Sequence, residues 1–82
     1  MWSGSCADFA KAQMTEADLR DVDATEARFR RAGLFRARLD RGVFVRALFT
    51  GAECQHAVFT QADLTEADFS KAKLSGADLR AH

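Results

Sequence analysis

The sequence contains no proline and no tyrosine, and it has one tryptophan and two cysteines. Cys6 and Cys54 are too few and too far apart to indicate the disulfide framework of a small secreted domain, so free thiols and a cytoplasmic location are expected. No apolar run approaches the length of a membrane span, and residues 1–4 lack the basic and apolar regions of a secretion signal. These absences argue against a disulfide scaffold and a transmembrane helix.

The chain has no excess charge of either sign, because twelve Lys and Arg residues balance twelve Asp and Glu residues. A neutral chain has no general attraction for nucleic acid or for an acidic membrane surface, so neither partner is expected. The length of 82 residues predicts a single domain over residues 1–82. That is below the size at which a compact core comfortably offsets chain entropy.

What the sequence does contain is a five-residue repeat. An uncharged residue, mostly Phe or Leu, recurs at every fifth position from Phe9 to Leu79, giving fifteen units. Two residues before these centres, thirteen of the fifteen positions hold Ala, whereas composition alone would give about three. Repeats of this regularity indicate a solenoid in which each unit contacts its neighbours.

A period of five fits neither an α-helix nor a straight strand. On a helix the apolar stripe would drift around all sides, and on a strand it would change face at every repeat. A chain that turns one corner per unit avoids both problems. The Ala and the centre are two residues apart, so both point inward, and the next two residues make the turn.

The number of sides follows from a second spacing, of twenty residues. Phe9, Phe29, Phe49 and Phe69 recur at this interval, which predicts a core ladder of stacked rings. Twenty residues per coil give four units per coil, and about four coils stacked about 4.8 Å apart. Six pairs of opposite charge share the same interval and are predicted to face each other: Asp8–Arg28, Glu16–Arg36, Asp18–Arg38, Arg20–Asp40, Asp21–Arg41 and Glu26–Arg46.

Several units match the motif A(D/N)LXX and its Phe variant. They include Ala17-Asp18-Leu19, Ala62-Asp63-Leu64, Ala67-Asp68-Phe69 and Ala77-Asp78-Leu79. Over residues 5–82 the chain therefore resembles the pentapeptide-repeat family. The resemblance implies an all-β fold, a right-handed quadrilateral β-helix. The middle of the chain departs from the motif, with other residues in place of Asp: Arg28, Gly33, Arg38, Val43, Leu48 and Val58.

The sequence contains few residues whose spacing suggests a catalytic or metal site. Cys54 and His56 are two residues apart, but the register points Cys54 inward and places His56 at a corner, so a metal site or an activated thiol is not expected. The sequence has no Gly-rich phosphate loop and no isolated pair of acidic residues. These observations predict a protein that is not an enzyme and needs no cofactor or metal.

Charge is segregated along the chain. Residues 28–46 contain seven Arg and one Asp, between two acidic segments. This belt could hold phosphates or an acidic protein, and Arg28, Arg30 and Arg31 are the candidate basic patch. The favoured interpretation is a structural charge ladder, because only Arg30 and Arg31 lack an acidic residue twenty positions away.

Apolar residues also occupy outward positions in the middle units. Arg46 lies at the corner between the faces that carry some of them, and a small apolar surface with an Arg is typical of a protein interface. Alternatively, these residues are singly exposed because β-branched side chains favour strands. The candidate interface comprises Phe35, Val43, Val45, Arg46, Leu48 and Val58.

The leading functional hypothesis is a non-enzymatic protein–protein interaction or scaffold module that presents a rigid surface, either to an unidentified protein or, by end or face stacking, to further copies of itself. The family resemblance supplies an alternative, a DNA-mimicking regulator of DNA gyrase or another topoisomerase, although a short neutral chain lacks the acidic surface this needs. A third hypothesis is a spacer domain within a longer protein, since no capping residue follows Leu79. Trp2 is predicted to cover the first coil as an N-terminal plug.

Overall fold

The computed structural model describes residues 5–80, which form a right-handed quadrilateral β-helix of about four coils. The fold class expected from the repeat is confirmed. The molecule measures 27 × 24 × 22 Å along its principal axes, so it is nearly as wide as it is tall. Trp2, the expected N-terminal plug, lies outside the described residues.

Successive coils are joined by parallel bridges between residues twenty positions apart, from Asp8↔Arg28 to Val58↔Asp78. In the first of these, the N–H of Arg28 donates to the carbonyl of Ala7 (2.8 Å), and the N–H of Phe9 donates to the carbonyl of Arg28 (2.7 Å). Each unit contributes one bridged residue before the chain turns. Residues 5–80 therefore contain no continuous strand, although the bridges stack as a parallel sheet does.

A tight turn follows each centre and forms a corner. The N–H of Ala12 donates to the carbonyl of Phe9 (3.0 Å), and Lys11 between them has a φ of 63°. A positive φ at the third residue is the signature of a type II turn, for which glycine is preferred. Of the fifteen residues with positive φ, only Gly51 and Gly76 are glycines. Bonds between coils hold the others, as where the N–H of Lys11 donates to Arg30 (2.8 Å).

The four faces of the prism are named here by their outward, bridged residues. Corners between faces are formed by the paired turn residues. Face 1 carries Asp8, Arg28, Leu48 and Asp68; face 2 carries Gln13, Gly33, Glu53 and Lys73; face 3 carries Asp18, Arg38, Val58 and Asp78; face 4 carries Asp23, Val43 and Asp63.

The core is dominated by the rings of Phe9, Phe29, Phe49 and Phe69. Successive centroids along this ladder lie 5.1, 4.9 and 4.7 Å apart, with interplanar angles of 15°, 4° and 3°. Stacked aromatic rings bury a large area in a narrow interior. Phe44 packs edge-on against two rungs of the ladder, Phe29 at 6.0 Å and Phe49 at 5.7 Å.

Gly42 and Phe44 form a size-matched pair inside the second coil. A Cβ added at Gly42 would lie 2.4 Å from Cε2 of Phe44, so the ring occupies the space that a side chain at residue 42 would need. Twenty residues earlier the sizes are reversed, with Val22 and Ala24 at the corresponding positions, both buried. A large residue in one column is therefore offset by a small one beside it, which keeps the interior filled.

Aspartates at outward positions cap the turns that follow them. An Oδ1 of Asp68 accepts the N–H of Ser70 (2.8 Å) and also its hydroxyl, and Asp18 accepts the N–H of Arg20 (3.1 Å). Such caps satisfy a turn amide that no other part of the coil reaches. Hydrogen bonds from the side chain and then the backbone of Arg20 lower the pKa of Asp18, and those of Ser70 lower the pKa of Asp68 in the same way. Arg80 lowers the pKa of Asp78 to about 2, so these caps stay ionised at neutral pH.

Candidate functional site

Three outward apolar residues surround the corner between faces 4 and 1. Val43 lies on face 4 and is 36% exposed, Val45 forms the corner, and Leu48 lies half-buried on face 1. We call Val43, Val45 and Leu48 the apolar surface. Backbone bridges hold both faces on either side, so the three side chains are displayed on a rigid support.

The apolar surface lies within a run of seven units, from residue 28 to residue 58, whose outward position does not hold aspartate. Val43 is bridged between Asp23 and Asp63, and Leu48 is bridged between Arg28 and Asp68. At both positions an apolar side chain replaces a turn-capping carboxylate. The turns after Val43 and Leu48 therefore have no aspartate cap, and the apolar side chains face outward and do not fill the interior.

Arg46 lies at the same corner, beside Val45. Its Nε is 3.2 Å from Oε2 of Glu26 in the preceding coil, and its Nη1 is 3.7 Å from Oε1 of Glu66 in the following coil. The guanidinium thus spans three coils along the corner. Exposed ion pairs of this type contribute about 0–1 kcal/mol to stability, so their main effect here is to orient the side chain.

Phe35 and Val58 are not part of this surface. Phe35 forms the corner between faces 2 and 3, and Val58 lies on face 3. Phe35 is 39% exposed but already has partners: its ring packs edge-on against His56 at 5.8 Å, and the guanidinium of Arg36 lies 5.2 Å from its centroid. The six candidate interface residues are therefore divided between opposite sides of the prism.

The candidate basic patch adjoins the apolar surface on face 1, where Arg28 is bridged to Leu48, and extends to the next corner. Arg28 is outward on face 1, while Arg30 and Arg31 form the corner between faces 1 and 2. Arg30 and Arg31 line an open cleft of about 300 Å³ together with Ala10 and Lys11. Within residues 5–80, no carboxylate comes within ion-pairing distance of Arg28, Arg30 or Arg31.

The register of the predicted charge pairs is confirmed where bridges join them, at Asp8↔Arg28 and Asp18↔Arg38, but most of the pairs do not form ion pairs. Only two of the six expected pairs form ion pairs, Asp21–Arg41 at 3.0 Å and Glu26–Arg46 at 3.2 Å. Asp18 instead binds Arg20 at 2.7 Å, within its own unit, because a capping carboxylate meets an Arg two residues later without spanning a coil. The four pairs that form no ion pair are Asp8–Arg28, Glu16–Arg36, Asp18–Arg38 and Arg20–Asp40.

The two cysteines lie in opposite environments. Cys54 is fully buried in the core, and burial raises the pKa of its thiol to about 12, whereas Cys6 is exposed at a corner. His56 lies at a corner, as its register predicts, and its ring contacts Phe35. No group of three or more His, Cys, Asp or Glu residues between residues 5 and 80 is arranged to hold a metal ion.

We expect a single thiol to react with a disulfide reagent in the native protein. At a pKa of about 12, the thiolate fraction of Cys54 is roughly a thousandfold smaller than that of an ordinary thiol, and burial also blocks access. A Cys6→Ser variant should therefore give almost no fast absorbance change with Ellman's reagent until guanidinium unfolds it. Fast labelling of this variant under native conditions would show that the core does not protect residue 54.

Comparisons with known proteins agree with this geometry. A family model described as pentapeptide repeats matches residues 5–41 and 43–80, in eight copies. A pentapeptide repeat protein from the thylakoid lumen of Arabidopsis thaliana superimposes with a TM-score of 0.92 at 25% identity, covering 93% of this chain and 52% of that one. Rfr23 from the cyanobacterium Cyanothece 51142 gives a TM-score of 0.75 at 19% identity, covering 87% and 52%.

The chain thus spans about half the length of these two solved proteins. No curated protein of assigned function matches it significantly. Among residues 5–80, no helix is both long enough and apolar enough to cross a membrane.

Proposed function

The chain belongs to the pentapeptide-repeat family, and from this premise we propose that it is a non-enzymatic module that binds a protein partner through a rigid β-helical surface. The observation that carries the proposal is the apolar surface of Val43, Val45 and Leu48. These residues cluster around one corner, while the other outward positions of faces 4 and 1 are charged. An apolar cluster inside a charged surround is the usual anatomy of a small protein interface.

Preorganisation supports the same function. The bridges at Val43 and Leu48 fix the backbone on both sides of the corner, and Arg46 is oriented by Glu26 and Glu66. A partner that docks here would order few side chains, which lowers the entropic cost of association. The guanidinium of an arginine next to an apolar anchor can also donate hydrogen bonds to an acidic group of the partner.

We expect a glutamate on either face of the apolar surface to abolish binding of the partner without unfolding the coil. Leu48→Glu and Val43→Glu each place a charge that the partner would have to desolvate, at positions that are outward in the fold. In pull-downs from a lysate of the source organism, a partner held by the native chain should be lost with both variants. Circular dichroism and thermal midpoints serve to show that each variant is folded.

Val58→Glu is the matched control, because it makes the same change at an outward position on face 3. The proposal requires the partner to survive this substitution. Equal loss with all three variants would indicate that the apolar surface is not the contact. If the native chain captures only copies of itself, and Leu48→Glu prevents this, the partner is a second copy and the module self-associates through the same surface.

A further inference from the structure

In the middle coils, the turns at the corner between faces 1 and 2 have no aspartate cap. At both ends of this corner an aspartate accepts the turn amide, Asp8 from Ala10 (3.0 Å) and Asp68 from Ser70 (2.8 Å). The turn that begins at Arg30 has no such cap, because Arg28 occupies the outward position. Within residues 5–80 the N–H of Arg30 donates to no acceptor. It is a backbone donor that faces outward beside cationic side chains.

The charged residues that line the cleft at this corner are all cations. Lys11 of the first coil and Arg30 and Arg31 of the second form its charged walls, with Ala10 between them. None of the three cations pairs with a carboxylate in the described part of the chain, although Arg residues elsewhere do. Three unpaired positive charges and a free backbone donor in a cleft of about 300 Å³ favour an anion.

We propose that this cleft binds the phosphate group of a small molecule, in the place where a capped unit holds its own aspartate carboxylate. A phosphate oxygen accepts the N–H of Arg30, as the carboxylates of Asp8 and Asp68 accept the turn amides above and below. Its remaining oxygens accept from the side chains of Lys11, Arg30 and Arg31, and a dianion offsets two of their three positive charges. Arginine forks and lysine ammonium groups are the usual phosphate ligands in proteins.

The dimensions favour a small ligand over a nucleic-acid duplex. The cations of the cleft come from two successive coils, which are about 4.8 Å apart, and Gly51 supplies no side chain in the third. Thr50 and Gly51 leave the third coil without charge at this corner, so Lys71 in the fourth coil is separated from the cleft, and Asp8 and Asp68 lie on the adjoining face 1. This site is separate from the apolar surface and stands whether or not that surface binds a protein.

The test is a titration with inorganic phosphate followed by amide NMR, with chloride held at matched ionic strength in a parallel series. We expect a saturable shift of the Arg30 amide that chloride does not reproduce. An Arg30→Gln, Arg31→Gln double variant should weaken the phosphate Kd by at least about fivefold. Arg28→Asp should abolish saturation, because its carboxylate would cap the Arg30 amide as Asp8 and Asp68 cap theirs, and the fold should be retained.

A double variant of Arg36→Gln and Lys73→Gln removes the same charge outside the cleft and is the matched control. Arg36 also has a positive φ (58°, against 57° at Arg31), so the backbone cost is similar. The control should bind phosphate as the native chain does. A linear response, an equal effect of chloride or equal weakening by both double variants would overturn the proposal.

Two further ligands identify the source of the phosphate. A nucleoside monophosphate that binds more tightly than inorganic phosphate would mark a phosphate ester as the ligand, and equal affinity would mark free phosphate. Short duplex DNA is the third arm. If DNA binds with dependence on Arg30 and Arg31 while phosphate fails to saturate, the small-molecule site is wrong and the corner is a nucleic-acid contact.

Discussion

Replacing Phe49 with alanine is expected to lower the free energy of unfolding by about 3–5 kcal/mol, the range for deletion of a fully buried aromatic ring. Phe49 has no exposed surface and lies at the centre of the aromatic core. Its ring stacks on Phe29 at 4.9 Å and on Phe69 at 4.7 Å. Deletion would break the ladder in its middle and leave a cavity between two coils that backbone bridges hold apart, so collapse cannot refill it.

This loss of unfolding free energy is large, because native proteins unfold with a total free energy of only about 5–15 kcal/mol. Urea denaturation followed by circular dichroism measures it directly. Phe35→Ala is the control, since it deletes the same ring from a corner position that is 39% exposed. We expect this control to cost about 1 kcal/mol or less. Similar losses for the two variants would show that the ladder is not the principal source of stability.

Gly42→Ala is expected to destabilise the protein by about 1–3 kcal/mol, although it adds one methyl group to a position where this chain usually has alanine. The new Cβ would lie 2.4 Å from Cε2 and 2.9 Å from Cζ of Phe44. That ring is buried against Phe29, Phe49 and Phe59, so it has no free direction in which to move. The methyl group and the ring therefore compete for one volume.

A double-mutant cycle separates this overlap from a general intolerance of residue 42. Phe44→Leu removes the ring edge, so Gly42→Ala should cost much less in that background, with a coupling energy of about 1 kcal/mol or more. Gly33→Ala is the control, because the one tight contact of its Cβ would be with the flexible Gln13 side chain, at 3.1 Å from Oε1. Additive costs in the cycle would show that Phe44 does not set the size of residue 42.

The fold could be predicted from two spacings. An interval of five placed one small and one large residue inside each unit, and an interval of twenty placed Phe29 over Phe49 in neighbouring coils. The same register put Val43, Val45 and Leu48 around one corner. These features depend only on position along the chain, and the hydrogen bonds between coils enforce that position throughout residues 5–80.

Side-chain choices between near and distant partners could not be predicted in the same way. Asp18 had Arg20 two residues away and Arg38 one coil away, and spacing alone did not show that a turn-capping carboxylate favours the nearer one. Similarly, the register located Gly42 and Phe44 but not the tilt of the ring toward residue 42. The register fixes the backbone position of a residue, whereas the rotamer of its side chain determines which partner that side chain contacts.

The free amide of Arg30 illustrates a third kind of gap. The sequence shows Arg28 as a departure from the repeat. It does not show that the N–H of Arg30 loses its acceptor, which depends on Asp8 and Asp68 capping the neighbouring turns. A signal was present in the sequence: aspartate recurs two residues before many turn positions. Interpreting it required the geometry of the turn.

The bridges between residues twenty apart also limit how such a gene can lengthen or shorten. The unit of the sequence is five residues, but a duplication or deletion of five would rotate every later column by one face and place Phe49 over a different rung. Only changes of a whole coil leave the stacked rings, the turn caps and the outward pattern in register. Homologues of different height are therefore expected to differ by multiples of twenty residues, and any smaller indel should lie at an end or be accommodated in a loop that leaves the prism.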